Sequence, residues 1–314
     1  MAQTYGLELE LVGISHSQIA AAIQTVDEAI FAGSFGYHGS RRLGLRHARM
    51  DGSADDCRWV TETDSSLSCS RTGLTAEIVS PILHGQAGLA HARRIMKAVV
   101  RAGAKVNSSC GTHVTMGVDN CSARFRRMGA AAKAKVAGKI IEATDYFWPA
   151  FCELVAPSRR TGGRASGYCK RPLGTYDSRI NRFGIAAKSY YQDKLRSMTS
   201  GKYSAVNISS FRSAGIIEFR MHNGTLNGQK ISNYAMLMHR LISWACNADD
   251  VDFRNFSPDF DGLCRMINVN AQLRTALEAR IAETPDYILG SRDEVMWEHY
   301  TNFQQVQREL REVA

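Results

Sequence analysis

The sequence predicts an α+β protein built on a mainly antiparallel, curved sheet with helices packed on one side. Three observations predict it. Tyr5–Val12 (YGLELELV) and Ile216–Asn223 (IIEFRMHN) alternate polar and apolar residues with the period of two expected of a half-buried strand. Between strand-like stretches lie apolar stripes at helical spacing, such as Leu89, Ala92, Ile95, Met96 and Val99. Acidic groups and one histidine recur on the polar faces of the strands, which marks that side of the sheet as a place for chemistry.

Tyr5–Val12 places Leu7, Leu9 and Leu11 on one face and Glu8 and Glu10 on the other. Two carboxylates at i and i+2 repel unless a cation sits between them. Ser17–Ala32 reads as a helix with the stripe Ile19, Ile23, Val26 and Ile30, stopped by Gly33. Residues 33–52, with Arg41, Arg42, Arg46 and Arg49, read as loop plus one short strand, either a solvated basic surface or a phosphate-facing loop. Cys57–Ser68 is a strand that ends at Asp64 and Ser65. Thr75–Ile82 is another, with Glu77 beside Ile78 and Val79 and Pro81 closing it at an edge.

A helix over Ala87–Ala102 ends at Gly103. Val106–Val118 follows as a strand with His113, Thr115 and Gly117 alternating against Val114, Met116 and Val118. A lone strand histidine is more often a structural residue than a ligand, but a neighbouring row of carboxylates favours the ligand. Ser122–Leu154 is a long helical region, basic at its start and aromatic near its end, with a kink expected at Pro149. Ser158–Gly174 is irregular and carries Arg159, Arg160, Arg164, Lys170 and Arg171 among glycines. It reads as a solvated linker or as a lid that closes over phosphates. A helical patch around Tyr190–Met198 precedes a strand over Tyr203–Phe211, which forms a hairpin with Ile216–Asn223 through Arg212–Gly215. In the latter strand Glu218 and Arg220 share one face, and Ile217, Phe219 and Met221 the other. The rest is helical: Lys230–Ala245, Phe260–Ile281 and Arg292–Val313.

The 314 residues suffice to bury a full core. Eight cysteines without a C-x-x-C pair point to neither a zinc site nor a disulfide framework, and fit a reducing cytoplasm. No leader and no apolar run of membrane-spanning length stands out, so a soluble cytoplasmic protein without a membrane partner is expected. A net charge of +9 suggests an anionic partner: a nucleotide, a polyanionic substrate or nucleic acid. The basic residues are spread over loops and one helix without a nucleic-acid-binding motif, which disfavours the last.

Four motifs come in order: Y-G-L-E-L-E, then D-S-S-L with T-A-E-I-V-S-P-I-L, then C-G-T-H-V-T-M-G-V, then I-I-E-F-R-M-H-N-G-T-L-N. Together, from about residue 5 to about residue 245, they resemble the amidoligase family of the carboxylate–amine ligase group, similar in catalytic core to glutamine synthetase and glutamate–cysteine ligase. The resemblance implies a glutamine-synthetase-like core and ATP-dependent amide formation through an acyl phosphate, with Mg2+ or Mn2+ bridging the phosphates. By the family pattern Glu8, His113 and Glu218 hold one metal ion and Glu10 and Glu77 another, while Arg220 contacts the transferred phosphate. Asp64 matches the acidic position of D-x-S-L and binds metal, a substrate amine or neither. Arg159, Arg160, Arg164 and Lys170 would meet nucleotide phosphates from a lid at 158–174. The substrates would be a small-molecule or peptide carboxylate and an amine. A catalytic domain over residues 1–250 and a helical extension over 251–314 packed on it are expected. Family members often show H-V-H where this chain has His113 and Thr115, so one potential contact is missing. Phosphotransfer to a guanidino or other acceptor is the alternative enzyme class. A non-catalytic anion binder is the other alternative, and it would gain nothing from paired carboxylates.

Overall fold

The computed structural model describes residues 3–26, 31–35, 59–70, 73–160, 162–163, 165–172, 203–248 and 253–283. Arg41, Arg42, Arg46, Arg49 and Arg164, the helical patch around Tyr190–Met198 and the helix over Arg292–Val313 lie outside them. The chain forms two compact units. One takes the described residues up to Val114 together with Asn223–Ser232, and the other Thr115–His222 with the described residues from Asn233 on. The architecture is α+β with a mainly antiparallel sheet. Among the described residues no helix is long and apolar enough to cross a membrane.

In the first unit the strands are β1 (Thr4–Val12), β2 (Phe31–Phe35), β3 (Trp59–Glu62), β4 (Thr75–Val79), β5 (Leu83–His84) and the start of β6 (Gly111–Gly117). Their order is β2-β3-β4-β1-β6, with β5 pairing β1 off this path. β1 and β4 run antiparallel with Glu10 opposite Glu77, and β3 and β4 antiparallel with Glu62 opposite Glu77. β2 lies parallel to β3. The alternation of β1 is realised as written: Leu7, Leu9 and Leu11 are all buried, each worth roughly 1.5–3 kcal/mol of hydrophobic stabilisation. α1 (His16–Gln24) starts at a capping box, where Ser15 and Gln18 satisfy each other's backbone N–H groups. It ends at Thr25, so the predicted helix over Ser17–Ala32 is corrected. Phe31 and Ala32 belong to β2, where pairing with β3 outweighs local helical spacing. α2 (Gly85–Arg101) buries Leu89, Ile95, Met96 and Val99 and packs on α1, β1 and β5.

The predicted strand over Val106–Val118 is shorter than expected, because Asn107 turns the chain before it. Its carbonyl accepts from the Cys110 N–H (2.9 Å) and its side chain from the Ser109 N–H (2.9 Å). Gly224 then approaches Cys110 so closely that a Cβ there would lie 2.4 Å from the Cys110 Cβ, and its N–H donates to the Cys110 carbonyl (2.8 Å). Only glycine permits this approach.

The second unit holds the rest of β6, then β7 (Val206–Asn207) and β8 (Ile216–Asn223), in the order β6-β8-β7. β7 and β8 form the expected antiparallel pair, but the strand predicted over Tyr203–Phe211 shrinks to two residues. Phe211–Ala214 form one helical turn, α3, closed by Gly215 at φ +63°, a left-handed backbone that suits glycine. β8 buries Ile217, Phe219 and Met221 and leaves Glu218 and Arg220 on the other face. The long helical region is three helices: α4 (Ala123–Arg126), α5 (Ala130–Tyr146) and α6 (Trp148–Glu153). One break falls between Arg127 and Gly129 and the other at Phe147, with Pro149 in the first turn of α6, where its missing N–H costs nothing. α7 (Gly228–Asn247) belongs to both units. The helix predicted over Phe260–Ile281 is split into α8 (Phe260–Met266) and α9 (Ala271–Ala282) by Asn268 at φ +51° and the Asn270 cap. α8 packs on α6, and Arg280 donates to the Leu154 carbonyl (3.3 Å).

Candidate active site

In the first unit β1 and β6 carry the polar face that the alternation predicts. His113 is buried, with Nδ1 3.2 Å from Glu8 Oε2 and Nε2 3.5 Å from Glu10 Oε1. Glu10 also accepts the N–H of Gly111, two residues before His113. Strand geometry explains the grouping: residues 8 and 10 share a face, and β6 lies next to β1. A backbone donor and an imidazole thus fix the Glu10 carboxylate while Glu8 keeps partial exposure.

The row continues across the sheet. Glu77 stands opposite Glu10, and Glu62 opposite Glu77, all three buried. Sequence reasoning missed Glu62, although its signal was there. In WVTE the strand pattern sets Glu62 two residues after Val60, and once β3 pairs with β4 the register brings it to Glu77. Hard oxygen donors beside one imidazole suit Mg2+ or Mn2+, and buried carboxylates on adjacent strands are the setting that draws in a cation.

The second unit supplies the pair on β8. Glu218 accepts from the guanidinium of Arg220 on one carboxylate oxygen and from Asn207 Nδ2 (2.6 Å) on the other. Asn207, opposite Glu218 in the β7–β8 register, is a second partner that the sequence pattern does not single out. The Arg220 Nε also lies 3.5 Å from the Tyr168 carbonyl oxygen. The planar fork is therefore held from two sides, which orients it for bidentate contact with a phosphate or carboxylate.

Asp64 shapes its own loop. Its carboxylate accepts the Ser66 N–H (2.7 Å) in an Asx turn after β3. The loop beyond is tied to the β6 approach by Asn107 Nδ2 donating to the Ser68 carbonyl (2.8 Å) and by the Ser68 N–H donating to Ser109 (3.1 Å).

In the basic stretch the described residues are anchored rather than splayed. Arg159 is buried, and Arg160 Nε donates to the Val155 carbonyl (3.2 Å). Arg171 makes a two-pronged contact with Asp145 (2.8 and 2.9 Å). The Lys170 backbone pairs with Tyr203 and Ala205, leaving its side chain exposed. Gly163 has no room for a Cβ, which would fall 2.2 Å from the Pro157 carbonyl oxygen, so this glycine serves a tight turn and not a hinge. Arg159 thus differs from the exposed phosphate-facing cation expected of it.

The motifs behind this geometry lie inside one matched region. No curated protein matches the sequence. The model of the family described as "Putative amidoligase enzyme" matches residues 1–242, which hold Glu8, Glu10, Glu77, His113, Glu218 and Arg220. With well over half of its length in that match, the chain belongs to the amidoligase family.

Proposed function

We infer that the protein is an ATP-dependent carboxylate–amine ligase with a glutamine-synthetase-like catalytic core, acting on a small-molecule or peptide acid and an amine. The observation that carries this reading is the cluster of partly exposed Glu8 with buried Glu10 and His113, extended by buried Glu77 and Glu62. A protein that only bound anions would be weakened by so much buried negative charge. In the proposal Glu8, His113 and Glu218 would hold one divalent ion and Glu10 and Glu77 a second, which would supply positive charge against the triphosphate.

An oxygen of the substrate carboxylate attacks the γ-phosphorus, the bond to the bridging oxygen breaks, and ADP leaves. The amine lone pair then attacks the acyl carbon, the carbon–oxygen bond to phosphate breaks, and inorganic phosphate leaves as the nitrogen loses a proton. Arg220 faces the transferred phosphoryl group, where an oriented guanidinium counters the developing charge. Arg160 and Lys170 are the described cations of the basic stretch assigned to the nucleotide, and Asp64 shapes the loop beside the site. Because an acyl phosphate hydrolyses in water, the stretch over residues 158–174 is assigned to water exclusion.

The test is ATP turnover by the full chain with Mg2+ or Mn2+ and a panel of acids and amines, followed by mass spectrometry. The expected product has the mass of acid plus amine less one water, and ADP forms in equal amount. Glu10→Gln and His113→Ala should abolish both. Amine-independent phosphate transfer to an acceptor, or ATP turnover that survives Glu10→Gln, would overturn the ligase assignment.

A further inference from the structure

Among the described residues the large hydrophobic side chains that stand exposed are Tyr168 and Tyr203, at 41% and 40%. They meet edge to face, with ring centroids 5.9 Å apart and planes at 71°. Their backbone is fixed. The Lys170 N–H donates to the Tyr203 carbonyl (2.8 Å), the Ala205 N–H to the Lys170 carbonyl (2.8 Å), and the Tyr168 N–H to the Ala165 carbonyl (3.1 Å). An ordered aromatic pair held at the surface is a ready stacking surface for a ligand ring.

Its position along the β7–β8 pair names the ligand. Asn207 stands opposite Glu218, Val206 opposite Phe219, and the Arg220 N–H donates to the Ala205 carbonyl (2.9 Å). Tyr203 comes two residues beyond Ala205, and the Tyr168 carbonyl lies 3.5 Å from Arg220 Nε. The chain therefore passes from a carboxylate, Glu218, through a cation, Arg220, to two aromatic rings. Asn207 and Tyr203 are four positions apart in the chain, a span of at most about 14 Å. That order and reach match a nucleoside triphosphate laid along the strand pair, with its metal-binding phosphate end at Glu218 and its base at the tyrosines. The exposed side chain of Lys170 follows Tyr168 by two residues, so the neighbourhood disfavours a cationic guest and favours an anionic one.

We propose that Tyr168 and Tyr203 form the stacking surface for the base of the nucleotide whose terminal phosphate is directed at Arg220. The proposal rests on the ligase reading above and adds to it the residues that select a nucleotide over a bare polyphosphate.

The experiment measures binding to the full chain in the presence of Mg2+ by calorimetry, with β,γ-imido ATP and inorganic tripolyphosphate as probes. Tyr168→Ala and Tyr203→Ala should each weaken the nucleotide about tenfold, the scale of lost base stacking, and leave tripolyphosphate affinity within about twofold. The Phe variants should bind both probes as the unsubstituted chain does, and melting curves of all variants report whether they fold. Unchanged nucleotide affinity in both Ala variants overturns the proposal. So does equal weakening of the two probes in folded variants, which would make the tyrosines mere support for Arg220. If the unsubstituted chain binds neither probe, the ligase reading falls as well. If it binds both with equal affinity, only the base-stacking proposal falls.

Discussion

Glu10, Glu77 and Glu62 face one another across β1, β4 and β3 with little water around them. Like charges directly opposite on paired strands destabilise a sheet by up to about 1 kcal/mol per pair, and more when desolvated. Glu62→Gln removes one of these like charges from the row and should shrink the rise in melting temperature that Mg2+ produces. Melting with and without Mg2+ checks this; an undiminished rise would mean that Glu62 does not take part in holding the cation. Arg220 gives the second prediction at this scale. Lysine keeps the charge but not the fork that Glu218 and the Tyr168 carbonyl orient. Arg220→Lys should lower kcat on the order of a hundredfold while ATP affinity changes by no more than about threefold. Steady-state turnover beside equilibrium binding separates these effects, and equal losses would show an anchor for ground-state ATP instead.

At the scale of elements, strands were legible where alternation was long. β1 and β8 read directly because seven or more residues keep the period, and the polar face then contained the candidate site residues Glu8, Glu10, Glu218 and Arg220. β5 is two residues long and carries no period, so only its pairing with β1 reveals it. The apolar spacing overextends α1 because Ile30 continues the stripe, whereas the β2–β3 ladder decides where Phe31 goes. Glu62 and Asn207 were hidden for a different reason: cross-strand partners depend on register, which local sequence does not carry. α1 also supports a prediction about pH. Half-buried His16, with Nδ1 2.9 Å from Thr61 Oγ1, has its pKa lowered from 6.5 by burial. The unfolded chain then binds the proton more readily, so stability rises with pH between the lowered value and 6.5 and drops as pH decreases through that window. Denaturant melts across the window should show this slope, and His16→Gln should flatten it. An unchanged slope would assign the pH dependence to other groups.

For the whole molecule the relevant quantity is charge. The chain carries +9 although its candidate site concentrates carboxylates, so the remaining surface is more basic than the total suggests. Part of the excess is visible in an open groove between α1 and α2, where Arg94, Lys97 and Arg101 stand over Ala21, Ala22 and Ala98. Charges spread over a surface act at range: they raise the local concentration of a polyanion and speed its capture, and salt screens them over about 10 Å at 0.1 M. The contacts that buried His113 makes with Glu10 and with partly exposed Glu8 are screened far less. The two populations of charge should therefore separate in one titration. Raising NaCl from about 0.05 to about 0.3 M should increase the KM for ATP several-fold while kcat changes by less than about twofold. The KM for a neutral amine should stay flat. A parallel fall of kcat would mean that salt reaches the buried carboxylates, and a flat ATP KM would mean that the basic surface serves some ligand other than the nucleotide.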